Sequence, residues 1–411
     1  MTTAVIVGAN LAGGRAAETL RQAGYEGRIV LIGGEPDRPY ERPPLSKEYL
    51  AGKADEEKLY LRPLDYYAEH EIELRLGVRA TTLDPAGRSL MLADGELLDY
   101  DNLLICTGAA PRPIEAPGAD LPGILYLRTL RDAEYLRGRK EHARRVVVVG
   151  AGFIGAEVAA TCRQAGLEVI LLEALPVPLE RGLGRRVGEI YARIHRDRGV
   201  DLRTNAAVAA FRGHGLVEQV VTASGEAFEC DFVVVGVGVA PEVGWLAGSG
   251  LQIENGILVD EFCRTNLPGV YAAGDVANWW HPTLGQRLRV EHYDNAQNQG
   301  VAAAKSMLGQ GEPYAPVPFF WSDQYDLNLQ YVGHARGDDE VVLRGDPSGE
   351  SWSAFYLREG RVQAALAVNR FRDVSAARQL IAKRVPITPA QIADEGTDLR
   401  ALARQAGQAP I

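Results

Sequence analysis

Two short glycine clusters, each followed by an acid at a set reach, are the residues that imply chemistry most directly. The first is Gly8-Ala9-Asn10-Leu11-Ala12-Gly13, with Glu35 further on. The second is Gly150-Ala151-Gly152-Phe153-Ile154-Gly155, with Glu173 at a comparable reach. Each follows an apolar run, Ala4–Val7 or Val146–Val149, and opens an Ala-rich helical pattern. Strand, glycine turn, helix, strand and acid in that order form the dinucleotide fingerprint. Gly8 allows the tight turn, Gly13 lets the helix approach the sheet, and the helix start offers N–H groups to a pyrophosphate. Glu35 is placed to hold a ribose hydroxyl. Asn10 stands where a second glycine is expected; it tolerates positive φ, but its side chain is expected to crowd the phosphate path. The second copy has all three glycines. Two fingerprints imply two dinucleotides. Glu173 favours NAD over NADP, because it repels a 2′-phosphate; Arg181, Arg185 and Arg186, close behind it, work against that preference.

Other chemistry-bearing residues are less specific by themselves. The loop Asp37-Arg38-Pro39-Tyr40-Glu41-Arg42-Pro43-Pro44-Leu45-Ser46-Lys47 carries cations at Arg42 and Lys47. It reads equally as a solvated connector or as a loop lying over a cofactor, with Lys47 near the reactive ring. Its prolines fix an irregular path, and Ser46 is expected to cap a following helix. Gly274-Asp275, at the end of an apolar run, lets a carboxylate approach a sugar or phosphate-linked chain, although structural turns also use that pair. The four cysteines, Cys106, Cys162, Cys230 and Cys263, are too far apart for a CxxC motif and read as structural thiols in a reducing cytoplasm.

The elements that position these residues follow from patterning. Leu103–Cys106 is a buried strand ending in the turn Thr107-Gly108-Ala109, and Phe232–Val235 is another, ending in Gly236 and Gly238. Asp94-Gly95 reads as a hairpin turn. Pro111, Pro113 and Pro117 mark a crossing between domains. Pro313–Pro318 reads as a linker, and beyond it strand-like runs and a helix at Asp373–Lys383 make a third domain. A chain of 411 residues is long enough for two or three cores. Its 46% hydrophobic and 24% charged content is that of a soluble globular protein. No membrane span or secretory leader is expected. The net charge of −10 argues against general nucleic-acid affinity.

Taken together, the first fingerprint, PYERPPLSK, TGAAPR, GAGFIGAE, GVGVAPE, AAGDV, EHYDNAQNQG and FWSDQYD resemble the NADH-dependent, FAD-containing ferredoxin reductases of bacterial oxygenase systems. The resemblance covers essentially the whole chain, and FWSDQYD with PPLSK is its specific part. It implies an α/β protein of glutathione-reductase-like fold: two Rossmann-like dinucleotide-binding domains, for FAD and NAD, plus a C-terminal α+β domain. The FAD domain is expected in two segments, 1–110 and 242–318, around an NAD domain at 111–241, with the C-terminal domain at 319–411. By the resemblance Gly8, Asn10, Gly13, Glu35, Arg42, Lys47, Thr107, Gly108, Arg112, Gly274, Asp275, Glu291, His292 and Trp321 serve FAD. Gly152, Phe153, Ile154, Gly155, Glu157, Glu173, Arg181 and Gly238 serve NADH. Tyr293 replaces a frequent tryptophan.

The same resemblance implies that electrons from NADH leave the flavin singly, for a small iron–sulfur ferredoxin that supplies a haem monooxygenase or a Rieske dioxygenase. Lys47 and Glu157 are the catalytic pair it implies, joined as an ion pair, with Lys47 steadying negative charge on reduced flavin. The helix after Glu291 is expected to aim its N-terminus at the flavin's pyrimidine oxygen. The ferredoxin is expected to dock transiently and electrostatically on a basic patch that includes Arg378, with Trp321 on the route and the reductase a monomer or weak homodimer. Two other classes remain: a flavin NADH oxidase, and an NADH-binding signalling flavoprotein like apoptosis-inducing factor. A disulfide reductase needs a redox cysteine pair, which PPLSK lacks.

Overall fold

The computed structural model describes residues 2–405, so the last six residues of the expected C-terminal domain lie outside the described part. The chain divides into two compact units, each built from separated segments. The first comprises 1–43, 55–110 and 239–316; the second comprises 44–54, 111–238 and 317–411.

In the first unit a five-stranded parallel sheet runs in the order Val270–Ala272, Asn102–Ile105, Thr3–Val7, Arg28–Gly33, Ile72–Leu76. Strand alternation explains why Ala4–Val7 is apolar throughout. Ala4 and Ile6 pack under the helices Leu11–Gln22 and Tyr293–Met307 with Ala16, Leu20 and Ala303. Val5 and Val7 pack on the other face with Leu83, Leu90 and Leu98 of a small antiparallel sheet. That small sheet contains the hairpin expected at Asp94-Gly95. The two helices meet closely because Gly300 has no side chain: a Cβ there would overlap the carbonyl oxygen of Ala12.

The second unit repeats the plan. Its parallel sheet runs Asp201–Arg203, Glu168–Leu172, Arg145–Val149, Phe232–Val235, Ile124–Tyr126. Val146 and Val148 face Val158 and Cys162 of the helix Phe153–Gln164, where Leu50 of the short inserted segment also packs. An antiparallel sheet follows in the same unit, in the order Phe319–Gln324, Leu327–Gly333, Arg361–Val368, Trp352–Arg358, Glu340–Arg344. One face, with Phe355 and Leu357, is covered by the helix Phe371–Ala382 and the short helices after it. The other, with Tyr356 and Leu366, is filled by Leu183, Val187 and Tyr191 of the helix Glu180–Asp197. That helix is interrupted at Gly184, whose φ of +75° is left-handed.

No helix among the described residues is long and apolar enough to cross a membrane. No cluster of three or more His, Cys, Asp or Glu suited to a metal occurs among them.

Candidate functional site

The first glycine turn is built as its residue types require. Gly8 has φ +121°, and a Cβ on it would overlap the Cys106 carbonyl. A Cβ on Gly13 would overlap the Gly8 carbonyl, which is how closely the helix start approaches the strand end. Asn10 behaves differently from expectation. Its side chain folds back as the helix N-cap, where Oδ1 accepts from the backbone N–H of Ala12 at 3.1 Å and of Gly13 at 3.3 Å. Its Nδ2 donates to the Cys106 carbonyl. A helix start leaves four orphan N–H groups, and Asn is among the best residues at satisfying them. Asn10 therefore caps the helix instead of standing in front of it.

Glu35, two residues past its strand, lies beside two donors from the PYERPPLSK loop. Tyr40 donates to one carboxylate oxygen at 2.5 Å and Arg42 to the other at 2.6 Å. Burial works against the Arg42 charge, but Tyr40, Glu35 and Asp275 outweigh it and hold the guanidinium above its ordinary range. Arg42 and Asp275 thus belong to one electrostatic group. Thr107 donates to the Glu242 carbonyl at 2.8 Å, fixing the turn at Gly108, which has φ +73°. Gly274 has φ +79°, and its N–H is held at 2.9 Å by the buried amide of Gln299, a residue that sequence reading missed. Glu291 pairs with Arg289 at 2.7 Å, and the helix expected after it starts at Tyr293 with His292 as N-cap. Tyr293 donates to Glu41 at 2.6 Å; burial and that carboxylate push its phenol up to about 12.

The second turn keeps its helix start open. Gly150 has φ +95°, and a Cβ on Gly155 would overlap the Gly150 carbonyl. Gly152, the N-cap, has nothing within 4 Å of where a Cβ would stand, and no side chain caps the helix there. Packing does not demand glycine at this position, and a helix start left bare of side chains suits a phosphate. Glu173 accepts from the backbone N–H of Ala151 at 2.7 Å and of Leu175 at 2.9 Å. Phe153 packs edge-on against Phe320 at 4.8 Å, and Ile154 is 46% exposed. Arg185 pairs with Glu189 and Arg186 donates to the Val341 carbonyl. Arg181 is exposed and makes no hydrogen bond or ion pair among the described residues. Arg112, also exposed, donates through its backbone to Gly238, which has φ +103°.

Lys47 and Glu157 do form an ion pair, with Nζ 3.0 Å from Oε2. The pair is nearly sealed: the side chains are 10% and 3% exposed. Two serines complete the carboxylate, Ser46 donating to Oε2 and Ser322 to Oε1 at 2.7 Å. Burial pushes Glu157 above the usual carboxylate range, against the pull of Lys47, Ser46 and Ser322. Ser46 therefore does not cap a following helix as expected; it closes a 3₁₀ turn at Pro43–Ser46 and is followed by turns. Prolines at the start of that turn favour the tight path, and the hydroxyl is more valuable on a buried anion than at a solvated helix end.

Trp321, partly buried, stacks on Phe319 at 6.4 Å, and the guanidinium of Arg378 lies 5.1 Å over the Phe319 ring. Arg378 is exposed, as its place opposite Leu380 and Ile381 requires. All four cysteines are free and buried, and burial pushes each thiol up, Cys162 and Cys230 to about 12.

The backbone cradles, the open helix start at Gly152 and the strand-end acids fit two bound dinucleotides. Comparison with known proteins agrees. The family described as pyridine nucleotide-disulphide oxidoreductase matches residues 2–300, and the reductase C-terminal family matches 319–403. Rhodocoxin reductase of Rhodococcus erythropolis is 40% identical over 402 residues, covering 97% of this chain and 94% of that protein. Putidaredoxin reductase of Pseudomonas putida is 39% identical over 402 residues, covering 96% and 95%. Among solved structures, the ferredoxin reductase for the CYP199A2 system of Rhodopseudomonas palustris superposes with a TM-score of 0.94 at 40% identity, over 98% of this chain and all of that one. The covalent putidaredoxin reductase–putidaredoxin complex gives 0.95 at 37%, over 99% of both. The chain thus belongs to the pyridine nucleotide-disulphide oxidoreductase family, as an FAD- and NAD(P)H-using oxidoreductase of its ferredoxin reductase branch.

Proposed function

We propose that this enzyme takes electron pairs from NADH and delivers them singly to a small iron–sulfur ferredoxin of a haem monooxygenase or Rieske dioxygenase system. The observation that carries the choice within the family is the state of the cysteines. Every one is buried with its thiol pushed up, and the PPLSK segment places Ser46 and Lys47, not thiols, on Glu157. A dithiol relay has no residues to work with, so the acceptor is external.

Gly8, Gly13, Glu35, Arg42, Thr107, Gly108, Gly274, Asp275, Glu291 and His292 would hold FAD, and the family resemblance assigns Lys47, Arg112 and Trp321 to it as well. Asn10 supports its turn as a cap. Gly152, Phe153, Ile154, Gly155, Glu173, Arg181 and Gly238 would hold NADH. Bound FAD supplies the exchange between two-electron and one-electron transfer. The chain's own part is to bind, orient and balance charge. Lys47 offsets negative charge as it accumulates, and Glu157 holds the ammonium in place. Glu173 selects NADH, since its carboxylate repels a 2′-phosphate and only Arg181 of the three nearby arginines is uncommitted. The division into 1–110 with 242–318, 111–241 and 319–411 belongs to the same reading, as do a cytoplasmic location and a monomeric or weakly dimeric state.

The test is NADH-driven reduction of cytochrome c with and without added ferredoxin. Rapid reduction only with ferredoxin is expected. Fast NADH turnover without any carrier would make it an oxidase. A stable complex with NADH that barely turns over would make it a signalling protein.

A further inference from the structure

Behind Glu157 lies a line of buried polar side chains that the binding of nucleotides does not require. Ser322 and Gln324 point the same way from the strand Phe319–Gln324, two residues apart. Gln324 Nε2 donates to Ser322 Oγ at 3.2 Å. Gln324 Oε1 faces His195 Nε2 at 3.1 Å, and His195 Nδ1 faces the Tyr325 hydroxyl at 2.9 Å. Ser322, Gln324 and His195 are each at most 1% exposed. The far end reaches the surface, where Arg198 lies 5.0 Å over the Tyr325 ring and pairs with Asp326 at 2.5 Å.

The donors can be assigned one by one. The amide oxygen of Gln324 only accepts, so Nε2 of His195 carries hydrogen. Burial holds His195 down to about 4, so the ring is neutral and Nδ1 is an acceptor. Burial pushes the Tyr325 phenol up, so it keeps its proton and donates to Nδ1. Every bond in the line therefore points one way: Tyr325 to His195, His195 to Gln324, Gln324 to Ser322, Ser322 to the Glu157 carboxylate. Aligned donors polarise one another, and the last is the strongest. The amide at Gln324 does not pass a proton along, so the line is a source of fixed dipoles rather than a proton path.

We propose that His195, through Gln324 and Ser322, is a positioning residue that keeps Glu157 ionised and locked on Lys47. The charged and titratable groups around that carboxylate are few. Lys47 faces it from the PPLSK turn, and His195 stands behind the serine and glutamine. Asp323, on the same strand, is turned to Asn328. Arg163, on the helix of Glu157, is bound to the carbonyls of Leu167 and Arg198. With so little positive charge nearby, an anion opposed by burial depends on each remaining donor.

The kinetic part of the test rests on the assignment of Lys47 and Glu157 to NADH-driven reduction; the spectroscopic part does not. In the intact flavoprotein labelled with 15N-histidine, His195 is expected as the Nε2–H tautomer, unchanged from pH 5.5 to 9. A ring that titrates near 6.5, or carries hydrogen on Nδ1, overturns the proposal whatever the enzyme reduces. In stopped flow, His195→Phe removes the donor at nearly constant shape. The acidic limb of flavin reduction by NADH should move up by about one pH unit, so reduction slows roughly tenfold below it and is unchanged above. His195→Gln, which restores an N–H, should restore the profile. Gln324→Met should shift it equally, and the double variant should add nothing. An unshifted limb in a variant with full flavin content and wild-type Tm refutes the positioning role.

Discussion

Replacing Lys47 with methionine leaves a buried carboxylate without its cation, and the size of the effect follows from the geometry. Nζ sits 3.0 Å from Glu157 Oε2, with both side chains almost wholly out of water. Removing one member of such a pair typically costs about 3–5 kcal/mol, because the other charge is left uncompensated. Ser46 and Ser322 still donate, so the lower half of that range is expected. For a unit of this size about 2 °C of Tm is lost per kcal/mol, which gives roughly 6–8 °C. The pH dependence has a definite sign. Burial already raises the folded pKa of Glu157, and losing Lys47, the largest opposing influence, raises it further. At alkaline pH the carboxylate is charged in both folded and unfolded states and the loss is full. As pH falls the folded carboxyl takes up its proton first, and the deficit shrinks. The assay is calorimetry of the flavin-loaded variant and wild type at pH 6 and 8.5. The double variant Lys47→Met/Glu157→Gln should recover much of the loss. A deficit below about 2 °C at pH 8.5, or one that grows on acidification, refutes the account of the pair as a desolvated charge couple.

Other outcomes are equally direct. The purified protein should be yellow with one non-covalent FAD per chain, and Asp275→Ala, which also removes a partner of Arg42, should lose flavin on dialysis. Full occupancy after dialysis would remove Asp275 from the site. Flavin reduction by NADH should exceed that by NADPH at matched low concentrations, and Glu173→Ala should narrow the gap; equal rates in the wild type would mean that Arg181 accommodates a 2′-phosphate. Arg378→Glu should slow ferredoxin reduction at low ionic strength, less so at high salt, and leave flavin reduction by NADH unchanged. An unchanged ferredoxin rate, or an equal loss in the NADH step, would rule out docking at Arg378.

Sequence reading succeeded where the controlling interactions are local. Both glycine turns, the buried apolar strand at Ala4–Val7 and the helix that carries Leu380 follow from neighbours within a few residues, and they stand close to where expected. The Lys47–Glu157 pair was reached only through the resemblance, since nothing in either local pattern points to the other residue. His195 was overlooked, because its partners are some 130 positions away and a lone histidine in a helix has no local mark. Gln299 was quoted within its motif and given no role. Asn10 and Ser46 were misjudged for a common reason: a small polar side chain serves whichever unsatisfied group comes nearest, and that is decided by the fold. For Asn10 it was the helix start; for Ser46 it was a carboxylate from another segment.

Glu157 and the residues that enclose its carboxylate, Ser46, Lys47 and Ser322, come from three segments joined only in the finished chain. During synthesis this has a cost in time. At about 5–20 residues per second, Ser322 emerges roughly 15–55 s after Ser46. Until then Glu157 cannot be shut away from water, and its helix meets the strand Arg145–Val149 with a hydrated anion beside it. The first unit waits too, since its edge strand Val270–Ala272 arrives after the whole inserted sheet. A nascent chain stalled before residue 319 would expose the apolar face of the helix Glu180–Asp197 that Tyr356 and Leu366 later cover. Truncation there should yield an aggregating product rather than a smaller nucleotide-binding protein, and chaperone demand during expression should peak late in translation.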